Sequence, residues 1–183
     1  MVRIIGIDPG LQATGWGVIA SDGAQLRVVG HGIIRTTTRM SDPERLGLIF
    51  EGLRNVFTTC EPQTAIIEEI FVKDNPRSAL RLGLARGFAI LACGQAGLAL
   101  SEISPRKVKQ AVTGTGSADK KQVADMVSRL LGIPAPPSDA ADALAMAIAC
   151  HQGAAAPKTE TAHTPDGLSA AIEAALRKDQ QKT

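Results

Sequence analysis

The first apolar run, Arg3–Asp8 (RIIGID), barely alternates, which marks a strand buried on both faces and ending at the turn Pro9-Gly10. Two further runs rich in Val and Ile, Gly15–Ala20 and Gln25–Thr36, are separated by the turn Ser21-Asp22-Gly23. This spacing predicts three consecutive antiparallel strands in a meander. Ser41-Asp42-Pro43-Glu44 then announces a helix: Ser41 can cap, Pro43 suits the first turn and Glu44 completes a capping box. That helix is expected to run to about Thr59, with Leu46, Ile49, Phe50, Leu53 and Phe57 on its core face. Thr64–Ile70 reads as another apolar strand, and a strand reached through a helix implies a crossover and a parallel neighbour.

The rest of the pattern is mostly helical. A long Ala/Leu/Gly-rich helix is expected over Pro76–Cys93, a short strand over Ala99–Ile103, and a short basic helix from Ser104-Pro105. The Gly-rich stretch TGTGSADKK interrupts the chain, a helix follows over Ala118–Leu131, and Pro134–Pro137 breaks it again. Ser138 is placed to cap a last helix running to about Cys150. Three meandering strands followed by helices alternating with shorter strands form the order of an α/β fold of ribonuclease-H-like type, a mixed sheet flanked by helices. Residues 1–152 are expected to form this domain. Residues 153–183, rich in Ala, Pro and Thr, read as a flexible tail in which a short helix over Pro165–Lys178 can be drawn.

Composition narrows the class. The 183 residues suffice for one domain with a real core, and 44% hydrophobic residues with only 3% aromatics and no Tyr indicate an aliphatic interior. Cys60, Cys93 and Cys150 are odd in number and far apart, so neither a disulfide framework nor a zinc site is indicated; buried thiols in a reducing compartment fit better. The N-terminal run meets Asp8 before it could serve as a signal-peptide core, and the uncharged stretch Gly87–Ser101 is shorter than the ~20 residues of a membrane span. A cytoplasmic protein without a membrane partner is the expectation. The net charge of +2 conceals a division: Phe71–Lys121 holds nine basic residues against three acidic ones, while the rest of the chain is net acidic. A middle third this basic suits a polyanion, although solvated helix faces would look the same.

Four carboxylates stand out against that background. Asp8 closes an apolar strand before a Pro-Gly turn, a placement that packing and solubility explain poorly. Glu68 and Glu69 end the fourth apolar run, and strand alternation sends them to opposite faces, so only one can share a site with Asp8. Asp139 and Asp142 are three apart, hence neighbours on one helix face, although acid preference at a helix N-terminus explains them equally well when taken alone. Carboxylates gathered at one point repel and raise one another's pKa, and a divalent cation relieves this. Hard oxygen donors suit Mg²⁺ or Mn²⁺, and a paired-metal carboxylate site is the usual apparatus for phosphodiester hydrolysis. His31, His151 and His163 have no metal-ligand spacing.

IGIDPGLQATGWG, AIIEEIF, NPRSALRLGLARG, PRKVKQAVTGTGSADKKQV and SDAADALAMAI, in this order and spacing over residues 3–151, resemble the successive signatures of RuvC-type Holliday junction resolvases. The resemblance implies a structure-selective endonuclease that cuts four-way DNA junctions by paired symmetric nicks, leaving 5′-phosphate and 3′-hydroxyl ends. It implies that Asp8, Glu68, Asp139 and Asp142 bind two Mg²⁺ ions per subunit, with Mn²⁺ as a substitute, and selects Glu68 over Glu69. Lys109 and Lys120 match family lysines near the scissile strand, and Phe71 resembles an aromatic that stacks on a base at the crossover. Arg77, Arg81, Arg86, Arg106, Lys107 and Lys121 join Lys109 and Lys120 as candidate phosphate contacts, while the backbone at Gly114 and Gly116 offers a weaker one. Two matching nicks call for a two-fold homodimer, for which the long apolar helix Pro76–Cys93 is the candidate contact, and the branch-migration proteins RuvA and RuvB are the partners that the resemblance implies. Two departures, Glu69 where the family usually has Gln and Leu84 where it commonly has Gln, leave contacts at those positions open.

Two other classes remain on the sequence alone. Asp8-Pro9-Gly10 followed by Thr14-Gly15 also resembles the phosphate-binding hairpin of actin-like and sugar-kinase ATPases, although the chain is short for their second lobe. A junction-binding scaffold without catalysis is the other, and the complete set of four carboxylates speaks against it.

Overall fold

The computed structural model describes residues 1–23, 25–69 and 76–155. The expected meander is present as β1 (Val2–Asp8), β2 (Ala13–Ser21) and β3 (Leu26–Arg35), and β4 (Thr64–Glu68) and β5 (Ala99–Ile103) complete one sheet in the order β3-β2-β1-β4-β5. β1 lies antiparallel to β2 and parallel to β4, and β5 is parallel to β4. The central position of β1 explains its unbroken apolar run, since both of its faces are covered.

Helices α1 (Asp42–Cys60) and α2 (Pro76–Gln95) cover one face, packing on Ile5, Ile7, Val18, Ala65 and Ile67. Helices α3 (Pro105–Thr113), α4 (Lys120–Leu131) and α5 (Ser138–His151) cover the other, on Ile4, Ile19, Ile66 and Ile103. Full burial of an aliphatic side chain of this size stabilises the fold by roughly 1.5–3 kcal/mol. Strand alternation therefore assigns even positions of β1 and β4, Asp8 and Glu68 among them, to the α5 face.

Glycines set how closely α5 approaches the sheet. A Cβ on Gly6 would lie 1.9 Å from the Ala143 carbonyl oxygen, and one on Gly15 would lie 2.1 Å from that of Asp139. With no side chains in the way, the Ala-rich helix rests directly on β1 and β2, and its N-terminal turn comes down beside the C-terminal end of β1.

Several boundaries differ from expectation for identifiable reasons. The N-cap of α5 is Pro137, and Ser138 is its first residue rather than its cap. Helix α4 starts at Lys120, two residues later than expected, because the Asp119 carboxylate accepts from Gln122 N at 2.8 Å and fixes the start there. β4 ends at Glu68, not Ile70. The capping residue Ser41 is confirmed, its amide donating to Glu44 Oε2 at 2.7 Å, but Phe50 is only half-buried on α1, whereas Val56 and Arg45 are buried. Cys60 and Cys93 are buried as expected; Cys150 is only half-buried. Ala154 and Ala155, just past the expected domain boundary, pack against the α5-side core, and residues 156–183 lie outside the described residues. Among the described residues no helix is long and apolar enough to cross a membrane.

Candidate active site

Register brings the first two carboxylates together. Ile7 is level with Ile67 in the parallel β1/β4 pair, so Asp8 and Glu68 follow abreast at the C-terminal ends of adjacent strands, whose axes are about 4.8 Å apart. The helix supplies the other two. The Asp139 backbone and Cβ lie over Gly15, the residue paired with Asp8 across β1/β2, and Asp142 lies one turn further along α5. Asp8, Glu68 and Asp142 line a cleft of about 310 Å³ with Lys109 of α3, Lys120 of α4 and the apolar Pro105, Val108, Val123 and Met146. Asp139 stands beside this cleft rather than in its lining. Lys120 Nζ donates to Asp142 Oδ2 at 3.0 Å.

The electrostatics follow from that crowding. Burial, then the charges of Glu68, Asp142 and Asp139, push Asp8 from 3.8 up to about 7, with Lys120 pulling the other way. Burial also raises Glu68, with Asp142 adding to the effect and Lys120 opposing it. The hydrogen bond to Asp142 holds the Lys120 ammonium above its ordinary value. Asp8 thus senses all three other acids, so the four sequence positions converge on one region of charge.

Hard carboxylate oxygens gathered on one wall of a small cleft suit a divalent cation in donor chemistry and charge. With the side chains as they stand, no group of three or more His, Cys, Asp or Glu among the described residues is arranged to hold an ion. Among the described residues, the Lys120 ammonium is a cation that Asp8, Glu68 and Asp142 all interact with.

The basic candidates divide. Lys109 and Lys120 line the cleft; Arg81, Arg106, Lys107 and Lys121 are exposed on α2, α3 and α4. Phe71 and the Arg77 side chain lie outside the described residues. Arg86, also expected to contact phosphate, is set apart by its environment: its side chain is 16% exposed, ion-paired with Glu102 at 2.9 Å and donating to the Glu68 carbonyl at 3.2 Å. Gly114 is likewise explained structurally, as the left-handed cap of α3 (φ 80°) whose amide donates to Gln110. Gly116 makes room for Arg106, whose Cγ would lie 2.8 Å from a Cβ there. Glu69 does not line the cleft, and its amide donates to Ile103. His151 ends α5, about 18 Å of helix from Asp139.

Sequence reasoning missed a buried strap behind the Asp8 turn. Arg45, 5% exposed, donates through Nε to Thr36 Oγ1 at 3.0 Å, and the Thr36 hydroxyl donates to the Leu11 carbonyl. Thr36 N also donates to Gln12 O at 3.0 Å, so the 9–12 turn is held from beneath. An arginine inside an otherwise apolar helix face is its only trace in the sequence.

The chain is similar to known proteins over most of its length. The family model described as "Crossover junction endodeoxyribonuclease RuvC" matches residues 4–151. The crossover junction endodeoxyribonuclease RuvC of Hyphomonas neptunium is 51% identical over 148 residues, covering 80% of this chain and 89% of the relative. That of Chloroflexus aggregans is 48% identical over 152 residues, covering 82% and 92%. Among solved structures, T. thermophilus RuvC in complex with Holliday junction substrate superposes with a TM-score of 0.80 at 35% identity, over 86% of this chain and 99% of that one. The yeast mitochondrial Holliday junction resolvase Ydc2 shares the fold, with a TM-score of 0.61 at 14% identity, over 84% of this chain and 79% of that one.

Proposed function

The chain belongs to the RuvC family of crossover junction endodeoxyribonucleases, and on that premise we propose how its residues carry out the reaction. It is an endonuclease that resolves Holliday junctions in recombination and repair, and the family is metal-dependent. The observation that carries the assignment of residues is the convergence of Asp8 and Glu68, abreast on parallel strands, with the two aspartates of α5.

In this reading Asp8, Glu68, Asp139 and Asp142 hold two Mg²⁺ ions, for which Mn²⁺ can substitute. When bound, such a pair supplies an activated water and neutralises charge on the attacked phosphate and the leaving 3′ oxygen. The chain's own groups do the rest. Lys109 and Lys120, on the cleft wall facing the acids, place positive charge where phosphate oxygens enter and charge develops. Val108, Val123 and Met146 give the cleft a low-dielectric wall, which strengthens each of those interactions. Arg81, Arg106, Lys107 and Lys121 lie on exposed helix surface available to flanking phosphates. The products are a 5′-phosphate and a 3′-hydroxyl.

Symmetric resolution needs two sites on one two-fold particle. Leu80, Leu84 and Leu91 are 69%, 38% and 48% exposed, and their spacing of four and seven residues places them along one side of α2. This stripe is the proposed dimer contact. RuvA and RuvB are the proposed partners, 1–152 the nuclease domain and 153–183 its appendage. The ATPase reading is not favoured, since the relatives are resolvases.

The test is to map nicks on labelled four-way junctions and linear duplexes, with and without Mg²⁺. Paired nicks confined to junctions and dependent on the ion are expected. Equal cutting of linear duplex removes the structure selectivity, and cutting in chelator removes the metal. Asp8→Asn should retain junction binding and lose cleavage.

A further inference from the structure

Arg86 lies on the α2 face of the sheet, whereas the Glu68 side chain belongs to the opposite, α5 face. It nevertheless reaches the end of the site strand. Its Nε donates to the Glu68 carbonyl at 3.2 Å, while the other limb of the guanidinium pairs with Glu102 Oε1 at 2.9 Å. Glu102 is level with Ile67 in the β4/β5 register, one residue before Glu68, so both acceptors sit at the same point of the sheet edge. The side chains are 16% and 30% exposed, half-buried enough for the pair to be geometrically fixed and less screened than a surface pair.

The position of this bridge matters because β4 stops at Glu68. Up to Ile67 the strand is held on both sides, by β1 and β5. Past it, the Glu69 amide still donates to Ile103, but the Glu68 carbonyl points away from that ladder and accepts a hydrogen bond from Arg86 Nε. A planar fork with two fixed acceptors restrains the peptide from which the Glu68 side chain departs. Arg86 leaves α2 on the side turned to the sheet, away from the exposed Leu80, Leu84 and Leu91.

We propose that Arg86, held by Glu102, is a positioning residue that sets the backbone of Glu68 and so aims its carboxylate into the cleft. The proposal rests on Glu68 being one of the site carboxylates. It reverses the role that charge alone assigns to Arg86, that of gripping phosphate.

Arg86→Gln, Arg86→Lys and Glu102→Gln separate the two roles. Three quantities are compared at a temperature well below each unfolding midpoint: single-turnover cleavage of a four-way junction at saturating protein, junction affinity without divalent ions, and Mn²⁺ binding to DNA-free protein by calorimetry. Arg86→Gln should slow cleavage at least tenfold and weaken Mn²⁺ binding several-fold, with junction affinity within twofold. Arg86→Lys, which keeps charge but loses the fork, should recover part of both losses. Glu102→Gln should move the same two quantities in the same direction, although an acid is no phosphate ligand. The proposal is overturned if Arg86→Gln instead weakens junction binding, lowers its salt slope by about 1 and leaves the saturated rate intact. A fall in unfolding midpoint alone, with rate and Mn²⁺ affinity unchanged, overturns it equally. Should the wild-type protein not cut junctions, the functional reading fails, and Mn²⁺ binding still decides the role of Arg86: equal affinity in wild type and Arg86→Gln refutes it.

Discussion

Replacing Asp8 by Asn should stabilise the metal-free protein at neutral and alkaline pH while destroying its activity. The cause is the shift of Asp8 from 3.8 to about 7, produced first by burial and then by Glu68, Asp142 and Asp139. A carboxyl whose pKa is raised in the folded state favours folding while it is protonated. The native protein then binds the extra proton between pH ~4 and ~7, so stability falls with rising pH across that window and is level above it. At 1.36 kcal/mol per unit, a shift of about three units sets a ceiling of ~4 kcal/mol on the penalty at pH 8. Asn has nearly the same shape and no charge, so the variant should escape most of it. For a domain of this size each kcal/mol moves the unfolding midpoint by roughly 2–4 °C.

The assay is thermal or urea unfolding in chelator at pH 4, 5.5, 7 and 8. Wild type and Asp8→Asn should diverge progressively as pH rises, the variant ending several degrees more stable and the gap narrowing towards pH 4. Added Mg²⁺ should then raise the wild-type midpoint in proportion to the occupancy of the folded state and move that of the variant far less. Parallel pH profiles for the two proteins, or an equal response to Mg²⁺, would refute the claim that Asp8 lies at the centre of a repulsive acid cluster relieved by a cation.

Gly15→Ala brings a Cβ to 2.1 Å from the Asp139 carbonyl and 2.9 Å from its Cβ; it should cost about 1–3 kcal/mol and reduce cleavage more than that loss explains, and near-wild-type cleavage rates would show that Asp139 tolerates displacement. Lys120→Met removes the ammonium from Asp142 and from the cleft; single-turnover cleavage should fall by about 10²-fold with a much smaller change in junction affinity, and an unchanged rate would take Lys120 out of the mechanism. Leu84→Glu puts a charge in the exposed stripe of α2; analytical ultracentrifugation should show a shift from dimer to monomer with paired nicking lost, and a persistent dimer would move the contact elsewhere.

The strands and the acids were legible because each leaves a local mark. β1 is apolar without alternation because it is central, and Asp8 is conspicuous because it ends such a strand. Charge counting does not reveal partners that are distant in sequence. Arg81 and Arg86 look alike in the chain, yet one is exposed and the other is bound to Glu102 and the Glu68 carbonyl, 16 and 18 residues away. Gly6 and Gly15 were read as parts of motifs, and only the packing of α5 shows what a side chain there would strike. Helix starts slipped by a residue or two because the competition between Ser138 and Pro137, or Ala118 and Asp119, is settled by cap geometry.

The forces that assemble the site oppose those it contains. Helix α5 is drawn onto the sheet by apolar contact along Ala140–Ala149, nearly all of it buried, and the glycines beneath let it settle at backbone distance. That packing is indifferent to charge, so it carries Asp139 and Asp142 towards Asp8 and Glu68 against their repulsion. Among the described groups that shift Asp8, Lys120 is the one that lowers its pKa, and it enters from α4 as a 77% exposed side chain paired with Asp142. An acid cluster tempered by one solvent-exposed ammonium favours the entry of a further cation. In this arrangement the same lysine that tempers the acids without metal would be free to face phosphate when a divalent ion is bound, which makes the metal dependence of the Lys120–Asp142 contact a direct observable: the Lys120 ammonium resonance, followed by NMR, should lose its coupling to Asp142 on addition of Mg²⁺ to wild type and retain it in Asp8→Asn.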